Sequence, residues 1–211
     1  MEVKNSNDKA IVIDALEKDM VEQTNNEINY VKEIVHMVLY FVIVICSVLF
    51  IHNFIGQQIE VSGSSMESTL HDNDHLILEK VTYQFDQPKR YDIVVFRPYE
   101  NTTDTNGFDD VYYIKRVIGL PGESVQIIDS AIYINGKLLE KNYGKDAIAD
   151  SGIAIDEIVL DDEEYFLLGD NRNNSKDSRD FSIGAVKRSA IIGRAWIRVW
   201  PLKDFGILEH Q

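Results

Sequence analysis

The chain is poor in cysteine and in positive charge. Its single cysteine, Cys46, excludes an intrachain disulfide. The 211 residues carry 21 Lys and Arg against 35 Asp and Glu, which gives a formal charge of −14. The imbalance holds for residues 1–33, with four bases and eight acids, and for residues 56–211, with 17 and 27. Because nucleic acids need a basic footprint on the protein, no nucleic-acid partner is expected.

One long apolar run stands out in this acidic background. Residues 34–55 contain no Asp, Glu, Lys or Arg, and 22 residues span about 33 Å as a helix, which is enough to cross a bilayer. A removable signal peptide is the competing interpretation, but 33 residues precede the run and no small-x-small cleavage site follows it closely. The run therefore predicts a retained transmembrane helix.

The basic residues around this helix predict its orientation. Lys18 and Lys32 precede the helix, whereas no Lys or Arg follows it before Lys80. The positive-inside rule then places the N-terminus in the cytoplasm, so the chain would cross the cell membrane once. We predict three segments, namely an acidic cytoplasmic tail that is frayed or partly helical (1–33), the membrane helix (34–55) and an extracytoplasmic domain (56–211).

The third segment has the pattern of a mostly β domain. Asn135-Gly136 predicts a type I′ hairpin, because both central positions of that turn need a positive φ. The long polar connections Tyr99–Asp110 and Lys141–Asp162 predict solvent-facing loops or a small subdomain. Short runs rich in Val, Ile, Tyr and Phe predict strands at His75–Val81, Tyr91–Arg97, Val111–Ile118, Ser124–Ile128, Ala131–Ile134, Glu164–Leu168 and Ala190–Trp200.

A small-residue turn just after the apolar run carries the candidate nucleophile. Gly63, Ser64 and Ser65 give a tight backbone with an exposed hydroxyl, and Ser65 is the candidate. Three apolar residues beside them could line a narrow pocket, namely Val61, Met66 and Leu70. Taken alone, this stretch is more typical of a Gly/Ser linker between an anchor and a domain.

Lys115 is the candidate base for this hydroxyl. In the strand pattern it shares a face with Tyr113 and Val117, so the pleat would hold its amine against apolar groups. Desolvation penalises the ammonium form and can lower the pKa of a lysine by several units. The competing interpretation is a half-buried strand lysine whose head reaches water. Arg116 points to the opposite face and is expected to stay charged and to pair with an acid.

The segment Gly169–Arg179, reading Gly-Asp-Asn-Arg-Asn-Asn-Ser-Lys-Asp-Ser-Arg, is the other unusual stretch. It is too polar and too rich in turn-forming residues to be a strand. Such a segment can satisfy its own backbone through Asx turns and Asp/Arg pairs, and it can orient a neighbouring lysine with a serine hydroxyl. A plain surface loop has a similar composition.

Together these stretches resemble bacterial type I signal peptidase, in its compact Gram-positive form. The resemblance covers roughly residues 58–208 and is specific, because four motifs occur in the family's order. The motifs are Ser65-Met66 after a membrane helix, the run Tyr113–Glu123, the Ile132–Lys137 hairpin and the segment Gly169–Arg179.

The resemblance implies a signal-peptidase-like β-barrel or sandwich catalytic domain with one N-terminal transmembrane helix. It implies a serine endopeptidase that removes signal peptides from exported preproteins with a Ser/Lys dyad. The implied partners are secretory preproteins with small residues before the cut, the lipid bilayer and the secretion translocon. No cofactor and no metal are implied.

The resemblance also implies a role for individual residues. Ser65 would attack the scissile carbonyl, and neutral Lys115 would take its proton and later protonate the leaving amine. Ser175 would hydrogen-bond to Lys115 and orient it. The supporting ion pairs would be Asp170 with Arg116 and Asp177 with Arg179. The shallow apolar subsites for small residues would be shaped by Val61, Met66, Leu70, Tyr113 and Ile114.

Two residues depart from the family pattern. Ser68 stands where the family usually has Pro, so the turn after the nucleophile is less rigid. Gly63 stands where some members have a serine that helps to hold the oxyanion, which leaves the backbone N–H of Ser65 as the donor.

Other functions are weighed against this one. His71 and His75 have a spacing that could serve a metal or a Ser-His-Asp triad, but the Asp72-Asn73-Asp74 turn between them argues against a metal site, and Lys115 argues against the triad. A catalytically silent membrane-anchored β domain that binds preproteins or export machinery is the main alternative. A Ser/Lys self-cleaving repressor is disfavoured, because a cytosolic regulator needs no membrane helix.

Overall fold

The computed structural model describes residues 6–50, 57–98 and 112–209. The chain divides into two compact units, residues 1–51 and residues 52–211. The predicted loop at residues 99–110 and the predicted helix end at residue 55 lie outside the described residues.

The first unit contains one long helix, α1, which runs from Ser6 to Phe50. Its part Asn29–Phe50 is long and apolar enough to cross a membrane by length and composition. Apolar side chains such as Ile34 and Phe41 are more than half exposed, as expected of a helix whose surroundings are not protein. The sequence placed a boundary between a frayed or partly helical tail and the helix at residue 34. The structure has no break there, since one helix runs through both.

The second unit is mostly β, as predicted, and its described strands form two antiparallel sheets. The larger sheet contains β1 (Gln57–Glu60), β2 (His75–Glu79), β3 (Ile93–Phe96), β4 (Tyr113–Gly119), β9 (Glu164–Leu168), β10 (Val186–Lys187), β11 (Ile191–Trp200) and β12 (Gly206–Ile207). The smaller sheet contains β5 (Ser124–Ile128), β6 (Ala131–Ile134), β7 (Lys137–Leu138) and β8 (Ile158–Val159).

The strand order places β4 inside the larger sheet. The order is β1-β2-β11-β3-β4-β9-β10, with β12 paired to β11, and the smaller sheet has the order β7-β6-β5-β8. Lys115 of β4 lies opposite Val94 of β3, and Arg116 lies opposite Leu168 of β9. Neighbours on both sides therefore fix the backbone on which the candidate base sits.

Short helical turns complete the described part of this unit. They are α2 (Thr82–Phe85) and three 3₁₀ turns at Gly152–Ile155, Arg188–Ala190 and Leu202–Asp204. The long connection predicted at residues 141–162 thus contains one 3₁₀ turn and strand β8 instead of being loop throughout.

The predicted hairpin is present between β6 and β7. Asn135 and Gly136 have φ angles of 51° and 71°, the positive values that a type I′ turn needs. Ile134 pairs with Lys137 directly across the turn.

The core is built on both faces of the larger sheet. One cluster lies between the two sheets and contains Ile118, Phe166 and Leu168 of the larger sheet with Val125 and Ile132 of the smaller one. A second cluster includes Val94, Phe96 and Val117. A third surrounds Ile93. Strand β3 is buried along its whole length, which explains its continuous apolar sequence Ile-Val-Val-Phe.

Candidate active site

Ser65 lies on a turn that the core holds in place. The flanking residues Val61, Met66 and Leu70 are buried in the third core cluster, where they pack with Leu76 of β2. Backbone bonds from Thr69 and Leu70 N–H to Met66 O close a helical turn after the serine. Three buried apolar groups therefore anchor this segment, and the structure does not support its interpretation as a flexible linker.

The turn before the serine depends on a left-handed glycine. Gly63 has φ +91°, a conformation that side chains rarely adopt. Its N–H donates to Asp72 Oδ1 at 2.8 Å. A serine at position 63 would be strained in this backbone conformation.

Lys115 meets the hydroxyl of Ser65 directly. Its Nζ lies 2.7 Å from Ser65 Oγ and 3.0 Å from the carbonyl oxygen of Ile114. The Lys115 side chain is 4% exposed, and its amine lies 5.4 Å from the centre of the Tyr113 ring. The amine is thus held in a poorly hydrated place and does not reach into water.

Burial changes the proton affinity of this amine. It lowers the pKa of Lys115 from its ordinary value of 10.5 to about 8, although the negative charges of Asp177 and Asp170 act in the opposite direction. The desolvation cost of the ammonium form therefore outweighs the attraction of the two carboxylates. A substantial neutral fraction near physiological pH follows, and the neutral amine can accept the hydroxyl proton of Ser65.

Arg116 lies on the opposite face of β4 and forms a buried ion pair. Its Nη2 lies 2.7 Å from Asp170 Oδ2, and both side chains are fully buried. The guanidinium also donates to the carbonyl oxygen of Tyr91 at 2.9 Å, and the ring of Tyr143 lies 4.0 Å from its carbon. Thr69, in the nucleophile turn, donates to Asp170 Oδ2 at 2.6 Å. The pair therefore links β4, the 169–179 segment and the nucleophile turn.

A second buried pair holds the 169–179 segment in shape. Arg179 Nε lies 2.9 Å from Asp177 Oδ1, and Nη2 reaches Oδ2 at the same distance. Asp177 also accepts from the N–H of Gly169 at 3.0 Å, so its carboxylate closes the segment on itself. The segment is a structured loop, in agreement with one of the two interpretations of its composition.

Ser175 differs from its expected arrangement. Its Oγ is buried and has no hydrogen-bond partner among the described residues, so the expected bond to Lys115 is absent. The amine of Lys115 instead uses Ser65 and the Ile114 carbonyl. Ser175 Oγ faces Gly169, where an added Cβ would come within 2.2 Å of it.

A cavity of about 520 Å³ opens beside the two candidate catalytic residues. Four of the five residues expected to shape substrate subsites line it, namely Val61, Met66, Tyr113 and Ile114. Leu70 does not line the cavity. Its side chain is fully buried in the third core cluster. The cavity is also lined by residues that the sequence motifs do not predict as site residues, namely Ile59, Glu60, Ser62, Val95, Tyr112 and Lys176.

Two asparagines that the sequence did not single out individually also contact the nucleophile turn. Asn171 donates its backbone N–H to Ser65 O at 3.0 Å and its side chain to Ser64 O at 3.1 Å. Asn174 donates to Ser64 Oγ at 2.6 Å. The polar composition of the segment was the only sequence signal for these contacts.

The histidines weighed as metal ligands are not part of such a group. Across the described ranges, no set of three His, Cys, Asp or Glu side chains converges in a way that could hold a metal ion. His75 Nδ1 instead lies 3.0 Å from the side-chain amide nitrogen of Gln58, which is on the adjacent strand β1.

The geometry brings together a serine hydroxyl, an amine with lowered proton affinity and an adjacent cavity with apolar walls. Acyl transfer by a Ser/Lys dyad requires these elements. The lysine must lie within hydrogen-bond reach of the hydroxyl, and its pKa must be low enough for a neutral amine to be present. A peptide in the cavity would lie beside Ser65 Oγ.

Comparisons with known proteins agree with this geometry. A family model described as signal peptidase, peptidase S26, matches residues 33–200. The chain is 40% identical to a probable signal peptidase I-2 of Synechocystis sp. over 161 residues, 76% of this chain and 71% of that protein. It is 33% identical to signal peptidase I T of Bacillus subtilis over 196 residues, 89% of this chain and 93% of that protein.

A crystal structure of a signal peptidase I from Enterococcus faecalis is 32% identical, with a TM-score of 0.41, and covers 52% of this chain and 97% of that one. The family assignment rests on the family model, which spans most of this chain, and on relatives aligned over most of both lengths. The chain belongs to the signal peptidase family, peptidase S26.

Proposed function

We propose that this chain is a membrane-anchored serine endopeptidase that removes N-terminal signal peptides from secretory preproteins. The observation that carries the proposal is the 2.7 Å contact between Lys115 Nζ and Ser65 Oγ, formed by an amine that is 4% exposed. A solvated lysine would be protonated at neutral pH and could not act as a base, whereas a buried one can. The family's named relatives are signal peptidases.

In the proposed mechanism, Lys115 takes the proton of Ser65 as the oxygen attacks the scissile carbonyl. The ammonium then protonates the leaving amine, and water hydrolyses the acyl-enzyme with the same amine as base. The Arg116–Asp170 and Asp177–Arg179 pairs hold the backbone that carries these groups. Ser175 is a candidate for orienting the amine after a small movement, since its buried hydroxyl has no partner in the described part of the chain.

The cavity accounts for the proposed specificity. Val61, Met66, Tyr113 and Ile114 give it apolar walls beside Ser65. Such walls accept small apolar side chains and reject bulky ones by steric exclusion. We expect cleavage after a small-x-small sequence, in which the first and third residues before the cut are small.

The membrane topology forms part of the proposal. The span Asn29–Phe50 would cross the cell membrane once, and Lys18 and Lys32, which precede its uncharged part from residue 34 onward, favour a cytoplasmic N-terminus. The catalytic domain would then face the outer surface, where the secretion translocon delivers preproteins. Four exposed apolar residues of this domain would rest on lipid, namely Trp200, Leu202, Phe205 and Ile207.

The test is cleavage of a purified preprotein by the full chain in detergent. Wild type should cut after a small-x-small sequence, whereas Ser65→Ala and Lys115→Ala should not. A wild type that never cuts a competent preprotein would favour the catalytically silent domain. A mutant that cuts as well as wild type would exclude the dyad.

A further inference from the structure

The side chain of Ser64, next to the nucleophile, is held by a residue 110 positions away. Asn174 Nδ2 donates to Ser64 Oγ at 2.6 Å, which is among the shorter side-chain contacts to this turn. Ser175 follows Asn174 in the chain, and its hydroxyl is buried beside Gly169. The contact therefore joins the nucleophile turn to the segment that packs against the dyad.

Three other bonds fix the same short backbone stretch. Asn171 holds the carbonyl oxygens of Ser64 and Ser65, and Asp72 accepts from the N–H of Gly63. The N–H of Asn174 in turn donates to Asn171 O at 3.0 Å, so the two asparagines form one turn. The direction of the Ser65 Cα–Cβ bond follows from the peptide planes on either side of it, and these bonds hold both planes.

The position of Lys115 does not depend on the hydrogen bonds that hold the nucleophile turn. Lys115 Nζ is held by the Ile114 carbonyl oxygen on strand β4, whose pairing with β3 and β9 does not involve the turn. A movement of the turn would therefore change the distance between the hydroxyl and the amine. Displacements of about 1 Å in reacting groups can cost up to about 10²-fold in rate.

We propose that Ser64 and Asn174 are positioning residues, whose hydrogen bond aims the hydroxyl of Ser65 at the amine of Lys115. Neither touches the reacting atoms. The inference rests on the proposed function, since it concerns the rate of the same cleavage. It is not implied by the dyad alone, because Ser64 and Asn174 have no part in proton transfer.

The test is steady-state cleavage of a preprotein by the full chain in detergent, with kcat and KM measured separately. Asn174→Ala and Ser64→Ala should each lower kcat about 3- to 10-fold and leave KM unchanged, as expected for loss of one exposed hydrogen bond. The double variant should lose no more than either single one, because both substitutions remove the same contact.

Asn173→Ala is the matched control. Asn173 lies in the same segment, but its side chain bonds to Ala147 O and Ala149 N, and neither atom belongs to the nucleophile turn. This variant should keep the wild-type kcat although it loses two hydrogen bonds. Equal losses of kcat in Asn173→Ala and Asn174→Ala would overturn the inference, because general loosening of the segment would then explain both.

The pH profile gives a second readout that separates positioning from loosening. Loosening would admit water to Lys115 and move the midpoint of kcat toward higher pH, whereas a displaced hydroxyl lowers the plateau and leaves the midpoint in place. Three results would overturn this inference but leave the proposed function standing. They are a wild-type kcat in both single variants, losses of kcat that add in the double variant, and a pH midpoint of kcat that is raised in the variants. A wild type that does not cleave would overturn the proposed function as well.

Discussion

Lys115 and Ser65 are in hydrogen-bond contact across 50 residues of sequence, with 2.7 Å between Nζ and Oγ. The amine is also almost completely removed from solvent, and its pKa is lowered to about 8 by that burial. Proximity alone would place an ammonium beside the hydroxyl, and an ammonium accepts no proton. Both conditions together give the hydroxyl a base that works near neutral pH.

Lys115→Arg should abolish cleavage although it keeps a long basic side chain. A guanidinium remains protonated at every working pH, so it cannot take the proton of Ser65. We expect kcat to fall at least about 10²-fold, the usual contribution of a general base. The measurement is the initial rate of preprotein cleavage, with Lys80→Arg as control because Lys80 contacts Gln57 on an exposed surface. Comparable rates for Lys115→Arg and wild type would contradict the mechanism.

Lys115→Met should stabilise the protein at neutral pH. The folded-state pKa of about 8 lies below the unfolded value of 10.5, so burial of the protonated lysine costs about 3 kcal/mol below pH 8. That cost falls as pH rises from 8 to 10.5, since the lysine then becomes neutral in the unfolded chain too. Thermal unfolding of wild type and variant across this pH range should show a gain that shrinks with pH. A gain that is absent at pH 7, or that grows with pH, would refute a desolvated Lys115.

Asp170→Ala should be strongly destabilising. It would leave the fully buried guanidinium of Arg116 without its carboxylate, a loss that typically costs about 3–5 kcal/mol. Asp86→Ala is the control, because its ion pair with Lys89 lies at the surface and its loss should barely change the unfolding midpoint. Similar midpoints for the two variants in thermal unfolding would show that the buried pair does not support the fold.

Gly169→Ala should lower activity by crowding the nucleophile. A Cβ at position 169 would come within 2.5 Å of the Ser65 carbonyl oxygen, so the backbone of the turn would have to move. We expect kcat to fall about 10- to 10²-fold. At Gly206 the same addition meets no atom within 4 Å, so Gly206→Ala should cut at the wild-type rate. Unchanged kcat in Gly169→Ala would mean that the turn tolerates the displacement.

Much of the fold was predictable, because local patterns carried it. Strands β5, β6 and β9 begin and end where the short runs rich in Val, Ile, Tyr and Phe predicted. The predicted hairpin implied β7, but β1 and the two-residue strands β8, β10 and β12 were missed, and two residues cannot display a period of two. Helix α1 begins at Ser6, well before the apolar run, because backbone hydrogen bonding continues through polar residues that hydropathy does not mark.

The site was predictable only in part. The strand pattern left the burial of Lys115 open, because a half-buried strand lysine can also reach water, and only the place of β4 between β3 and β9 removes that access. The burial of Leu70 away from the cavity did not follow, because its apolar character fits both a core and a pocket wall. The contact between Ser64 and Asn174 joins residues 110 positions apart, and no pattern along the chain connects them.

The pH dependence of kcat for preprotein cleavage by the full chain tests the central claim most directly. A buried, neutral Lys115 predicts that the rate rises through a midpoint near pH 8 and falls about tenfold for each unit below it. A midpoint near the 10.5 of a free lysine, or a rate that does not change between pH 6 and 9, would contradict the account.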